Sequence, residues 1–196
     1  MSARERILAR VHDALAERAR TPDPGRFTGE RPEPPPDDPV DAFARVFLRS
    51  GGEVVRVADR AGASAWLATL TRGVRGVSVG ATVPSGLVPD ATSATPDTAE
   101  VGVSMAVGAV AETGSLMLDA RDGRRTQLLP PTHAVLVWAD TVHATLSDAL
   151  TSLRPDLPSA LGLHSGPSKS ADIGQVMVKG VHGPGRVVAV IVGGRG

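Results

Sequence analysis

Apolar residues recur along this chain with two different periods. Near the amino terminus Ile7, Leu8, Val11 and Leu15 fall on one stripe between arginines and glutamates, the spacing of an amphipathic helix over residues 2–20. Residues 21–39 break that pattern with seven prolines, including Pro34-Pro35-Pro36. Such density forbids a helix or a central strand and leaves an extended connector. The first helix is therefore tethered. Either it folds back onto its own domain, or it docks onto a second copy or another protein.

From Val40 onward helical and strand patterns alternate. Asp41–Ser50 reads as a helix closed by Gly51-Gly52, and Glu53–Val57 as a strand. Asp59 caps a helix running to about Leu70, and Gly76–Gly80 is a short apolar strand. Val101–Ser104 and Ala106–Ala111 are apolar and ambiguous in type. Ser115–Asp119 and His133–Trp138 read as strands, and Thr145-Leu-Ser-Asp148 starts a helix reaching Leu153 with a capping box. In Arg186–Val192 the run Val-Val-Ala-Val-Ile-Val has the unbroken hydrophobicity of a strand buried on both faces. Alternation of this kind predicts an α/β domain over residues 40–196, with a mostly parallel sheet covered on both sides.

Composition narrows the function classes. A chain of 196 residues suits one such domain, burying about 70% of its unfolded surface without cross-links. With no cysteine it offers no disulfide, no thiolate nucleophile and no thiolate ligand for an iron–sulfur cluster. Lys+Arg and Asp+Glu balance at 21 each and aromatics make up only 3%, so nucleic-acid binding by charge or stacking lacks support. No run of eighteen apolar residues appears, and Met1–Arg20 is charged throughout. A cytoplasmic location away from membranes is the expectation.

Candidate chemistry concentrates in Ser165-Gly-Pro-Ser-Lys-Ser-Ala-Asp-Ile173 and Gly180-Val-His-Gly-Pro184. Gly166 and Pro167 stop any regular element, and Ser168 or Ser170 can cap a following helix whose buried face carries Ile173, Val176 and Met177, with Gly180 ending it. A helix start bearing Ser165, Ser168, Ser170 and Lys169 suits a phosphate or carboxylate. A capped helix with a solvated lysine fits the same residues.

Glu112 precedes Thr113-Gly114, where an apolar segment gives way to a turn. At the carboxyl end of a parallel strand its carboxylate would face the ligand crevice. Alternatively, it accepts backbone N–H bonds or pairs with Arg121, Arg124 or Arg125. None of His12, His133, His143, His164 and His182 has zinc-site spacing, so neither a metal nor another cofactor is expected. His182 could face the same cleft as Lys169, while His133, after two prolines, reads as a packing residue. No dinucleotide fingerprint, P-loop or nucleophile elbow is present.

Three segments, Glu112-Thr-Gly-Ser115, Leu128-Leu-Pro-Pro-Thr-His133 and Ser165–Gly180 leading to Val-His-Gly-Pro, stand in this order over roughly residues 75–192. Together they resemble the LUD domain family, in particular its lactate utilization protein C branch. Lys169 stands where the family often has arginine, and Gly174 where it often has glutamate. The resemblance implies a three-layer α/β/α sandwich similar to the sugar-phosphate isomerase and coenzyme A transferase group. It also implies a role in a lactate utilization system that oxidises L-lactate to pyruvate with iron–sulfur partner subunits. The ligand pocket implied is one for a small anionic metabolite, formed by Thr113, Gly114, Ser115, Ser165, Gly166, Ser168, Lys169, Ser170, Asp172 and His182, with Glu112 as candidate catalytic group. Two other functions remain open: a stand-alone transferase or isomerase acting through Glu112, and a non-catalytic assembly subunit.

Overall fold

The computed structural model describes residues 2–17, 38–171 and 177–194. It divides into two units, Met1–Pro34 and Pro35–Gly196. In the first, α1 (Ala3–Glu17) starts with a reciprocal cap. Glu5 N–H donates to Ser2 Oγ at 3.2 Å and Ser2 N–H to Glu5 Oε2 at 2.6 Å. Its stripe of Ile7, Leu8, Val11 and Leu15 is exposed.

In chain order the second unit runs α2 (Pro39–Arg49), β1 (Glu53–Val57), α3 (Arg60–Leu70), β2 (Val77–Val79), β3 (Val101–Met105), β4 (Gly108–Val110), β5 (Ser115–Asp119) and α4 (Arg124–Leu128). It continues through β6 (Thr132–Trp138), β7 (Val142–His143), α5 (Leu146–Leu153), β8 (Leu161–His164), β9 (Lys169–Ala171), β10 (Met177–Lys179) and β11 (Arg186–Val192). Strands β1-β11-β6-β3-β2 form a five-stranded parallel sheet. The mostly parallel α/β architecture read from the sequence is present.

Alternation along the strands assigns each face its cover. Val188, Val190, Leu136 and Val103 pack with Ala63 and Leu67 of α3. On the opposite face Val187, Ala189, Ile191, Val135 and Val137 meet Phe43 and Phe47 of α2, whose rings stack 5.4 Å apart one helical turn from each other. Asp38 starts α2 by accepting from Val40 N–H at 2.8 Å, and Pro39 takes the first helical position, where its missing N–H costs nothing. The helix thus begins two residues before Asp41. Among the described residues no helix is long and apolar enough to cross a membrane.

Beyond a plain sandwich, the α2 side carries a second, four-stranded sheet of order β7-β4-β5-β8. Its inner face, with Ala109, Leu116 and Leu118, joins the α2 core, and α5 covers its outer face through Ala149 against Val110 and Met117.

The helix expected after Ser168 is not formed by the described residues around it. Lys169–Ala171 and Met177–Lys179 instead pair as an antiparallel hairpin, with Lys169 opposite Lys179. Ser168 N–H donates to Pro184 O at 2.9 Å and Gly180 N–H to Ser168 O at 3.0 Å, so this segment's backbone is committed to the Gly180–Pro184 turn. Three apolar residues at helical spacing are too few to outweigh that tertiary pairing. Ile173 and Val176 lie outside the described residues.

Candidate functional site

Glu112, Thr113 and Gly114 lie in the turn of the β4–β5 hairpin, in the second sheet rather than at the carboxyl end of a strand of the five-stranded parallel sheet. Ala111 and Glu112 N–H groups donate to His143 and Ala144 carbonyls at 2.8 and 3.1 Å, which ties the turn to the entry of α5. Glu112 Oε1 accepts from Leu146 N–H at 2.7 Å. Leu146 opens α5, where unpaired N–H groups and the helix dipole favour a carboxylate. Gly114 has φ +58°, and a Cβ there would lie 2.7 Å from Val46 Cγ1 and 2.8 Å from Phe47 N. Only glycine lets this turn press onto the backbone of α2.

The hairpin turn and the Ser165 segment meet through hydroxyls. Thr113 Oγ1 lies 2.8 Å from Ser115 Oγ, which lies 2.7 Å from Ser165 Oγ, a residue fifty positions away. Of the other residues of the expected pocket, Lys169 and Gly166 lie against the end of α2 and the rest lie around the Gly180–Pro184 turn or outside the described residues. Lys169 Nζ donates to Ser50 O, the residue that ends α2, where a cation suits the carbonyl end of the helix. Gly166 packs on the Ser50 backbone, Ser168 lies against Gly183, and Ser170 sits in β9 opposite Val178. His182 is exposed in the Gly180–Pro184 turn, and Asp172 lies outside the described residues.

A second polar cluster, which the sequence did not single out, lies between the two sheets. His133 and Ser104 point from β6 and β3 toward the second sheet, are fully buried, and join through His133 Nε2 and Ser104 Oγ at 2.9 Å. His133 Nδ1 is buried without a hydrogen-bond partner among the described residues. His164 projects from β8 toward it, the rings edge-on with centroids 6.5 Å apart. Burial, with a smaller contribution from His164, pushes the His133 imidazole down to about 3, and burial lowers His164 as well. Both rings are neutral at neutral pH.

Helix α4 roofs this region. A Cβ on Gly102 would lie 2.5 Å from Thr126 O, so the helix rests directly on β3. Thr126 Oγ1 meets Ser78 Oγ at 2.9 Å, and Gln127 Nε2 donates to Asp119 O at 2.9 Å. Below α4 is a cavity of about 110 Å³ lined by Arg124, Gln127, Leu128, Leu118, Leu161 and His164 among others. The nearby acids are engaged elsewhere. Arg121 pairs with Asp119 at 2.5 Å and with Asp156 at 3.0 Å, and Arg125 with Asp97 at 3.1 Å. Asp122 accepts from Thr82 N–H and Oγ1 at 3.1 and 2.7 Å, its Oδ2 buried without a partner among the described residues. Arg124 makes no ion pair among the described residues. None of the described residues forms a group of three or more acids or histidines placed to hold a metal ion.

Comparison with known proteins bears on these segments directly. The family model of the LUD domain matches residues 90–192, from just before β3 through β11, and so includes both polar clusters. The chain belongs to the LUD domain family. The chain is 34% identical over 102 residues to lactate utilization protein C 1 of Bacillus mycoides (strain KBAB4), a match covering 48% of this chain and 44% of that protein. Identity to lactate utilization protein C of Bacillus subtilis (strain 168) is 32% over 105 residues, covering 50% and 44%. The matched stretch thus spans less than half the length of these relatives. In fold, the chain is similar to the crystal structure of a DUF162 family protein from Deinococcus radiodurans. The TM-score is 0.60 at 21% identity, with 79% of this chain and 96% of that one covered.

Proposed function

We propose that this chain is the LUD-domain component of a lactate utilization system, supporting oxidation of L-lactate to pyruvate beside iron–sulfur partner subunits. In this reading a small anionic metabolite is contacted at the Thr113, Ser115 and Ser165 hydroxyls. The carrying observation is the 2.7 Å approach of Ser115 Oγ to Ser165 Oγ, which joins two segments that lie far apart in the sequence. Hydroxyls rotate to donate, so a chain of three at a turn can reorganise around an anion. The lactate context is supported by the relatives named lactate utilization protein C. Oxidation of lactate releases two electrons and two protons. A chain without cysteine supplies no thiolate-held cluster to receive the electrons, so the reading assigns them to partner subunits.

Growth on L-lactate tests the proposal. A host lacking this gene should fail to grow on L-lactate, recover with the wild-type gene, and recover poorly with Ser165→Ala, whose exposed site leaves the fold intact. Tagged protein should co-purify cysteine-rich subunits carrying the absorbance of iron–sulfur clusters. Normal growth of the deletion strain on L-lactate would reject the pathway. Full rescue by Ser165→Ala would reject the hydroxyl site.

A further inference from the structure

We infer that the cavity under α4 is a binding site for a short carboxylic acid bearing an additional hydroxyl or carbonyl oxygen, with Arg124 taking the carboxylate and His164 the additional oxygen. Size comes first. A cavity of roughly 150 Å³ takes up benzene, so the 110 Å³ found here suits a ligand of about that size or smaller. Its lining combines hydrocarbon from Leu118, Leu128 and Leu161 with a few polar groups, the usual make-up of a small-molecule site.

Charge comes second. Of three neighbouring arginines, Arg121 and Arg125 are neutralised by Asp119, Asp156 and Asp97. Arg124, at the rim, carries no ion pair among the described residues, and no acidic side chain lines the cavity. A planar guanidinium in that position matches a carboxylate through paired N–H donors.

His164 gives the second contact. Burial keeps its ring neutral, so it offers a donor and an acceptor rather than a charge, which fits a hydroxyl or carbonyl oxygen. Behind it stands the edge-on ring of His133, tied to Ser104. His133 Nδ1 is buried and finds no partner among the described residues, a cost that a hydrocarbon side chain there would avoid. The site is separate from the Ser115–Ser165 hydroxyls, which lie past the end of β8. Its ligand class follows from Arg124, His164 and the volume, not from the pathway proposed above.

The experiment is a titration of the full-length, isotope-labelled chain with L-lactate, propionate and L-lactamide, followed by nuclear magnetic resonance. Propionate lacks the hydroxyl oxygen, and L-lactamide lacks the carboxylate. The side-chain signals of Arg124 and Gln127 should shift with L-lactate, less with propionate, and not with L-lactamide. Arg124→Gln should weaken L-lactate binding by about 10- to 100-fold, the scale of a charge-assisted hydrogen bond. His164→Phe, which keeps ring volume, should bring L-lactate down to the affinity of propionate and leave propionate unchanged. Spectra of both variants check that the fold is kept. The inference is overturned if none of the three acts on these signals. It is equally overturned if shifts fall on Ser165 and Thr113 instead, or if Arg124→Gln binds L-lactate as the wild type does. Lactate binding here in a chain whose deletion leaves growth on L-lactate intact would uphold the site and reject the pathway. Loss of growth with no binding here would do the reverse.

Discussion

Against α3 the parallel sheet presents Val77, Val101, Val103, Leu136, Val188 and Val190, an unbroken hydrocarbon layer. From the same strands, against α4 and the second sheet, it presents Ser78, Ser104 and His133 beside Val135, Val187 and Ala189. Successive residues of a strand point to opposite faces, so neighbours in sequence serve different purposes. The α3 face is built for stability. Its counterpart carries polar groups in a place where an unpaired one costs about 1–3 kcal/mol. Ser78 and His133 Nε2 find partners, whereas His133 Nδ1 does not. A buried cost of this kind, next to a cavity lined by Arg124 and His164, separates the two faces by role.

The largest expected effect lies on the hydrocarbon face. Leu136 is fully buried there, and Leu136→Ala should lower unfolding stability by about 2–5 kcal/mol in urea titrations, through lost transfer energy and the cavity left behind. A loss below 1 kcal/mol would mean that this face is not the stabilising one.

The polar face should reveal itself through pH. His133 is held to about 3 in the fold against 6.5 when free, so the unfolded chain takes up a proton that the folded chain refuses. Its contribution is therefore fully present above about pH 6.5 and shrinks as pH falls toward 3. By pH 4 the loss should be roughly 3 kcal/mol. Melts of the wild type and of His133→Gln, measured from pH 7 to 4, should diverge in slope. Parallel curves would show that His133 is not held neutral by burial.

Gly114→Ala tests the seam between the second sheet and α2. The left-handed backbone and the Val46 contact should together cost about 1–3 kcal/mol. A neutral result would mean that the turn is free to move off α2.

Glu112→Gln should have the smallest effect on stability. The amide still accepts from Leu146 N–H but gives up the charge at the start of α5, worth about 0.3–1 kcal/mol. If growth on L-lactate vanishes while the melt is unchanged, Glu112 has a chemical role besides closing the helix. Unchanged growth would leave it as an anchor for α5.

Much of the scaffold was legible in the residues. Val-Val-Ala-Val-Ile-Val announced a strand buried on both faces, and β11 is the second strand in from one edge of the parallel sheet. Asp59 and Thr145 announced helix starts that they do cap. Such signals are local: a period of two, a carboxylate or hydroxyl three residues ahead of a helical turn, a glycine after it. The resemblance of three short segments likewise named the family.

What the chain alone could not reveal depends on contacts between distant segments. Nothing near Lys169 in the sequence says that its ammonium donates to the carbonyl of Ser50, over a hundred positions earlier. Serines and a short apolar pattern suggest a helix after Ser168, until Pro184 and Gly180 claim the backbone groups there. Nothing beside Glu112 in the sequence says that its strand belongs to a second sheet or that its carboxylate meets Leu146 N–H at the start of α5. Arg124 and His164 carry no local signal at all, since nothing in their neighbours says which arginine lacks a carboxylate or which strand faces His133. Pairing, burial and charge compensation are properties of the folded arrangement. The sequence by itself determined most of the elements and the family, and only the packing of one sheet over another decided which polar side chains were left facing a cavity.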